Sequence, residues 1–514
     1  MDLRTLLAAL SPERPILTVE EEDTVVSFEA ESFLQEGGFL AVDEFACHSA
    51  ACAPPSAGGT GGSIGKGGGK SGGVAHGGGG SGAKPSSDKD LDLLYPGRRD
   101  AGNKKVNPDG TFSVEGLDEH GNPTKFSAKT EAKVRAEWDA IGPTDEQYVK
   151  NFEIAGELAM GINPRTGAVD AEQAAQGHHD SKWYTVAHQD CQDIAKATGI
   201  DLDNVVAATA ALSAGRLWSG TANGNIETAR ALANIVRNPI DIEVTQAHID
   251  MMNWRAQKST KGVGKVGLVD HGLTPGKINS NDLDSGTLTE LLYAANTVRG
   301  HASFQEWYDQ SSKDGKPGMR STKTQIETPP PYPFFTSKGT QQVKQAVAVL
   351  RNEVTPRQAI SGPKYSSFYS NIRNPDADYS STNDTWHYRI MAGNLPLHVS
   401  AKGIDTTDTI DRLTMKERSP NGIAPTTAQD IFQRGPASKS EGIKSGDAMF
   451  RDTTVLTRQA LDRLAAKYPA QFKGMKPHEF QALIWVHYGG GQASKGDRLE
   501  RWDSARAAMK EAGL

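Results

Sequence analysis

A tract of 26 residues, 57–82, contains fifteen glycines and limits what this 514-residue chain can fold into more than any other feature. Glycine loses more conformational freedom on folding than other residues, and no local contact in such a tract offsets that entropy. The tract therefore predicts a disordered, flexible linker over residues 57–90. It separates an N-terminal arm, residues 1–56, from everything that follows.

The N-terminal arm is strongly acidic. Residues 1–51 contain eleven Asp and Glu side chains against Arg4 and Arg14, a local charge of −9, and the whole chain carries −7, so the remainder is close to +2. Aromatic residues, among them Phe28 and Phe33, alternate with these carboxylates. Such alternation is typical of a segment that docks on a larger partner. A solvated tail with no partner is the alternative.

Cysteine usage and hydropathy indicate neither a disulfide framework nor a membrane partner. The chain has three cysteines, and no run of about 18 apolar residues occurs in it. Cys47, His48 and Cys52 lie close together in the arm, but a closed zinc site normally needs four ligands. The sequence leaves metal binding there open. We predict no cofactor.

Residues 91–142 predict a small mixed segment with a hairpin, because Asp109-Gly110 and Gly121-Asn122 are turn dipeptides between short alternating runs. Helical periodicity begins after it. Capping-box patterns predict helix starts at Thr144, at Thr287 and at Ser303. The fold class predicted is therefore mainly α.

The helical domain is predicted to run from 143 to 514, with a long polar loop insertion at about 394–452. Two closing helices are predicted, Thr454 to Tyr468 and Pro477 to Tyr488, and Trp485 is expected to pack in the core. In "GHHDSKW", a helix cap by Asp180 or Ser181 is favoured over a metal site.

The stretch "AISGPKYSSFYSNI", residues 359–372, predicts a helix-hairpin-helix-like turn at Gly362-Pro363 within a window of net charge +5. Such a turn points backbone N–H groups and a helix N-terminus at a phosphate. A plain bend between packed helices is the alternative, since Pro is common in a first helical turn. The nucleic-acid-binding residues predicted are Gly362, Lys364, Arg357, Arg373, Lys344 and Arg351.

"TNDTWHYRIMAG" follows, and it brings Asp384 twenty residues after Lys364. This pairing resembles the helix-hairpin-helix DNA glycosylases over residues 359–393, although Ile360 replaces the first hairpin glycine and Pro363 lacks an N–H donor. The resemblance implies an enzyme in which Lys364 attacks a deoxyribose carbon and Asp384 activates it, with His387 in support.

A second resemblance covers more of the chain. "WYTVAHQDCQDIAKATGIDLDNVVAATAALSAGRL", "SGPKYSSFYSNIRNPDADYSSTNDTWHYRIMAG" and "EFQALIWVHYGG" are together similar to a helical domain family of actinobacteriophage virion and head-gene proteins. That resemblance implies a minor head protein, located in the virion and in the host cytoplasm during assembly or after delivery, whose arm binds capsid proteins. Three interpretations stay open for the helical domain: a DNA contact, a glycosylase or lyase-like activity, and a purely structural virion part.

Overall fold

The structure is a computed structural model that describes residues 106–513 apart from 115, 119, 142, 214–217, 219–223, 260–271, 313–317, 319–321, 333–339, 361, 379, 394–396, 402–403, 409–445 and 491–494. The predicted arm and linker, with Cys47, His48 and Cys52, lie outside the described residues.

The described chain is mainly helical. Its helices, in chain order, are α1 (Ala128–Ile141), α2 (Asp145–Ala159), α3 (Ala171–Ser181), α4 (Trp183–Thr198), α5 (Leu202–Ala211), α6 (Asn225–Arg237), α7 (Gln246–Ser259), α8 (Ser285–Thr297), α9 (Phe304–Ser311), α10 (Lys323–Glu327), α11 (Thr340–Leu350), α12 (Pro356–Ala359), α13 (Gly362–Arg373), α14 (Thr385–Ala392), α15 (Gly446–Lys467), α16 (Pro469–Phe472), α17 (Pro477–Trp485) and α18 (Lys495–Glu511). A 3₁₀ turn, Ser280–Asp282, precedes α8, and a π-helical turn, Val486–Gly490, follows α17.

Strands are few and short in the described part of the chain. Strands β1 (Asp241–Val244) and β2 (Gly276–Asn279) pair antiparallel, with Ile242 opposite Ile278. Strands β3 (Leu397–Ala401) and β4 (Ile404–Asp408) form a second antiparallel pair. Neither pair is large enough to form a face of the core.

Local capping accounts for several helix starts. Thr144 and Gln147 form the predicted capping box at α2, and the Ser303 hydroxyl accepts from the Glu306 N–H at α9. The start predicted at Thr287 is wrong, because Asp284 caps α8 three residues earlier by accepting from Gly286 and Thr287. A carboxylate accepts these charge-assisted bonds better than a hydroxyl.

Three further predictions require correction. The cap in "GHHDSKW" is wrong, since α3 is capped by Asp170 and runs through Asp180 to Ser181. The closing helix predicted to begin at Thr454 is α15, which begins earlier. The loop predicted at 394–452 is also partly wrong, because the start of α15 and the β3–β4 pair occupy part of it. Helix α18 was not predicted. Its apolar residues are sparse, so its sequence has almost no amphipathic pattern.

Two hydrophobic cores organise the helices. The first, core A, is built around α4, α5, α6, α8 and α11 and includes the fully buried Val205, Leu291 and Val347. The second, core B, is built around α2, α15 and α17 and includes Phe152 and Phe480. Helix α13 contributes Tyr369 and Ile372 to core A, whereas α14 contributes Ile390 and Met391 to core B.

A belt of buried polar side chains, called the polar belt below, joins these two cores. The Asn371 amide donates to the Ser380 carbonyl (2.9 Å), and the Asn383 amide donates to the Phe450 carbonyl (3.0 Å). Members of the belt come from α13, from residues 380–383 and from α15: Ser366, Ser367, Ser370, Asn371, Ser380, Ser381, Thr382, Asn383, Thr453, Thr454 and Thr457. Hydrogen bonds of this kind specify one geometry where apolar contacts alone would tolerate several. The belt thereby sets the position of residue 384 relative to α13.

The tight turns of residues 106–123 pack against α13. Val106 pairs with Phe112 and Leu117 with Pro123 in isolated antiparallel bridges, as the predicted hairpin segment requires. The Phe112 ring stacks on Tyr369 at 4.3 Å, and its N–H donates to the Ser370 hydroxyl. One side of α13 is thus covered by the mixed segment.

Candidate nucleic-acid interface

The turn between α12 and α13 is anchored on one side and exposed on the other. Ala359 and Ile360 are buried in core A, whereas Gly362 is exposed. Gly362 has φ +75°, and a Cβ built there would meet no atom within 4 Å. Only glycine adopts this backbone conformation without strain. The turn therefore presents the N-terminus of α13, with its partial positive charge, toward open space.

Lys364 stands in the first turn of α13 and is half-buried. Its ammonium lies 5.9 Å from the centroid of the Tyr365 ring. Lys364 forms no ion pair with any described residue. Arg357, on α12, is also half-buried and lies five residues before Gly362. Lys364 supplies positive charge beside the turn, and Arg357 also takes part in an interaction within the described chain.

The other three predicted basic residues are engaged inside the fold, so the predicted set is too broad. Arg351 donates to the carbonyls of Leu283 (2.6 Å) and Ser280 (2.7 Å), and its side chain is 11% exposed.

Lys344 and Arg373 have acidic neighbours. Burial lowers the pKa of the Lys344 ammonium, and the charge of Asp284 opposes that shift. Arg373 forms an ion pair with Asp203. The net charge of a sequence window ignores the groups that each cation contacts in the fold. Here those groups lie on α5, on α8 and in the residues that precede α8.

Asp384 precedes α14 and is half-buried. Its Oδ1 accepts from the His387 N–H at 3.0 Å, which satisfies one of the free donors at the start of that helix. Burial raises the pKa values of the Tyr184 and Tyr388 hydroxyls, and the negative charge of Asp384 raises them further. Asp384 is therefore close to two buried phenols. The Tyr184 hydroxyl donates to Gln481 at 2.8 Å.

His387 is a buried packing group, and its predicted role in supporting catalysis does not fit this position. The side chain is 1% exposed, its Nε2 lies 2.8 Å from the Thr457 hydroxyl, and its ring lies 4.6 Å from that of Phe152. Burial lowers its pKa to about 3, so the imidazole is neutral at physiological pH. A base shielded in this way has no route to a substrate in solvent.

Lys364 and the segment that leads to Asp384 lie toward opposite ends of α13. Lys364, Phe368 and Asn371 follow one another at helical spacing on α13, and we call this surface the Lys364 face. The Asn371 amide donates to the Thr382 hydroxyl, two residues before Asp384. Seven residues separate Lys364 from Asn371, which is about 10 Å along the helix axis. The residues that lead to Asp384 are thus held at the Asn371 end of this face, and Lys364 forms no ion pair with Asp384.

Four aromatic rings meet along this face, and we call them the tryptophan cluster: Trp183, Trp218, Phe368 and Trp485. Trp183 is central, with ring centroids 4.9 Å from Trp218, 5.1 Å from Trp485 and 5.9 Å from Phe368. The sequence predicts that Trp485 packs in the core, whereas the structure leaves it partly exposed and in contact with Trp183. Their meeting has no signal in sequence spacing, because the two positions are 302 residues apart.

Comparisons with protein-family models, with curated protein sequences and with solved structures find no match for this chain. Among the described residues, no helix is both long enough and apolar enough to cross a membrane.

Proposed function

We propose that this chain is a phage virion-associated protein of the minor head type whose helical domain contacts DNA through the Gly362 turn. The observation that carries the DNA contact is the exposed, left-handed Gly362 at the N-terminus of α13. The virion assignment rests on the sequence resemblance, and the acidic arm is the proposed contact with capsid proteins.

The proposed contact is with the sugar-phosphate backbone. A helix N-terminus favours an anion, and glycine lets a phosphate approach the main chain closely. Lys364 and Arg357 add two cationic groups beside that N-terminus. With so few phosphates neutralised, the logarithm of affinity falls with the logarithm of salt concentration with a slope of roughly −2. Contacts of this class position a protein on DNA without reading its sequence.

The test is duplex DNA binding by the full chain at several salt concentrations. We expect Lys364→Ala to weaken binding at low salt and to reduce the magnitude of the slope by about 1. Lys323→Ala is the matched control, because it removes the same charge from an 87% exposed side chain on α10. The DNA contact would be refuted if the wild-type protein showed no detectable DNA binding, or if both variants lost equal affinity for DNA.

A glycosylase or lyase-like activity is the second candidate, and one observation favours it: Asp384 remains half-buried, not fully buried. In that reaction the Lys364 amine would attack the sugar C1′, and the glycosidic electron pair would leave with the base, which takes up a proton. Lys364 forms no ion pair with Asp384, so the two side chains would have to approach each other on DNA binding.

Borohydride trapping tests the second candidate. DNA carrying a panel of damaged bases should give a covalent adduct with the wild-type protein, and neither Lys364→Ala nor Asp384→Asn should give one. If no lesion gives an adduct, the non-enzymatic DNA contact remains as the proposed function. If neither Lys364→Ala nor Asp384→Asn alters DNA binding, particle incorporation or chemistry, the purely structural virion role is the better description.

A further inference from the structure

We infer that the tryptophan cluster is a stacking site for an unpaired nucleobase of a DNA strand held at the Gly362 turn. This inference rests on the proposed DNA contact and deepens it, because it names the form of DNA that the site takes. It concerns binding and does not require that the protein be an enzyme.

The cluster is assembled from four separate parts of the chain. Trp183 begins α4, Trp218 precedes α6, Phe368 lies in α13 and Trp485 ends α17. The Trp218 ring is held in place, since its Nε1 donates to Asp190 at 2.8 Å. The rings of Trp218 and Trp485 meet Trp183 at interplanar angles of 73° and 72°. The site is therefore ordered before any ligand arrives, which lowers the entropy cost of binding.

Exposure distinguishes this cluster from the aromatic residues of core B. Phe152, Phe472 and Phe480 are completely buried, as large rings in a packed interior are. Trp183, Phe368 and Trp485 instead remain partly exposed. Phe368 and Trp485 each contact Trp183. Three partly exposed rings arranged in this way form an amphipathic surface on which a planar ligand can stack.

The cation beside the cluster favours a nucleotide over an apolar peptide. Lys364 precedes Phe368 by one turn, about 5.4 Å, on the same helix face, so a phosphate bound at Lys364 carries its base toward Phe368 and Trp183. Behind the cluster, the Tyr184 ring lies 4.9 Å from Trp183 and is 2% exposed, so it supports the tryptophan from the protein interior. The cation and the rings thus follow in the order of a phosphate and its base.

Stacking on aromatic side chains tolerates any base and contributes most when the base is already unpaired. The ligand class predicted is therefore a single-stranded segment, or a base extruded from a duplex at a mismatch. Fully paired DNA would use the Gly362 turn alone. A difference in affinity between these substrates separates the inference from the proposed function.

The experiment uses the full chain and a single-stranded pentanucleotide with 2-aminopurine at its centre, whose fluorescence reports stacking. We expect quenching on binding, and Trp485→Leu should weaken the binding of the pentanucleotide about tenfold. Trp254→Leu is the matched control, because Trp254 is another partly exposed tryptophan in a separate aromatic group with Phe304, Trp307 and Tyr308. Phe368→Leu replaces Trp485→Leu if near-ultraviolet circular dichroism shows that the latter has lost its fold.

The outcomes separate the two proposals. The stacking site is overturned if the protein binds duplex DNA tightly but does not quench the pentanucleotide. It is also overturned if Trp485→Leu and Trp254→Leu lose equal affinity for the pentanucleotide. In either case the Gly362 turn remains the DNA contact. If Trp485→Leu weakens the quenching but Lys364→Ala does not, the stacking site is supported and the proposed phosphate contact is rejected. Absence of any interaction with the pentanucleotide overturns the inference.

Discussion

At the scale of single residues, Gly156 shows how closely core B is packed. It lies in α2, and a Cβ built there would be 2.6 Å from the Phe480 ring and 2.9 Å from a Leu464 methyl. Both neighbours are buried, so neither side chain has space into which to move. We expect Gly156→Ala to lower the free energy of unfolding by about 1–3 kcal/mol. Urea denaturation of the full chain measures this change.

Gly199→Ala is the comparison for that prediction. Gly199 has φ +70° and no atom within 4 Å of its built Cβ, so its substitution carries backbone strain without a clash, at a cost of about 1 kcal/mol. Phe480→Leu should partly rescue Gly156→Ala and leave Gly199→Ala unchanged. If Gly156→Ala is as stable as the wild type, the packing described for core B is wrong.

At the scale of elements, Arg451 joins the mixed N-terminal segment to α15. Its guanidinium donates to both Glu131 carboxylate oxygens (2.5 and 2.9 Å), to Asp452 and to the Thr124 carbonyl. The side chain is 7% exposed. The pKa of Glu131 is lowered to about 2 by the Arg451 hydrogen bonds. A single cation thus satisfies acceptors from three segments.

We expect Arg451→Met to destabilise the protein by about 2 kcal/mol, because it leaves Glu131 and Asp452 without their cation. The loss is smaller than for a fully buried pair, since the Glu131 side chain is 36% exposed. Hydrogen exchange should accelerate first at residues 112–131. Arg463→Met is the control, because Arg463 pairs with Glu146 from a 45% exposed position. If the two variants lowered the free energy of unfolding equally, Arg451 would not have the proposed role of joining the mixed segment to α15.

At the scale of the whole molecule, three buried histidines predict loss of stability in weak acid. Burial lowers the pKa of His387 to about 3 and, as the largest cause, lowers those of His478 and His487 to about 4. An unfolded histidine has a pKa near 6.5. As pH falls below that value the unfolded chain binds protons first, so stability is complete above about pH 6.5 and decreases toward pH 4.

At pH 5 each of these histidines is expected to cost roughly 2 kcal/mol, a large share of the stability of a typical domain. Denaturation midpoints measured between pH 7 and pH 5 check this. His387→Gln keeps a hydrogen-bonding group beside Thr457 without a titratable ring, so it should reduce the pH dependence by about a third. Stability that is constant from pH 7 to pH 5 would show that these rings do not stay buried and neutral.

Predictions that depended on neighbouring residues succeeded more often than those that depended on distant ones. The caps at Thr144 and Ser303 involve side chains three residues apart, and both are present. Thr287 failed as a cap because Asp284 already starts α8 by accepting from the N–H groups of Gly286 and Thr287. Three of the five predicted basic residues are engaged inside the fold, because Asp203, Asp284 and the carbonyls that Arg351 meets belong to other parts of the chain.

The sequence by itself determined that this chain is mainly helical and where its principal turn lies, since apolar periodicity, caps and a Gly-Pro step act within a few residues. Only the tertiary structure decided that Lys344, Arg351 and Arg373 meet partners inside the fold, and that Trp183 contacts both Phe368 and Trp485. The physical reason is that burial and ion pairing depend on residues brought together from distant positions. A local pattern carries no information about which residues those are.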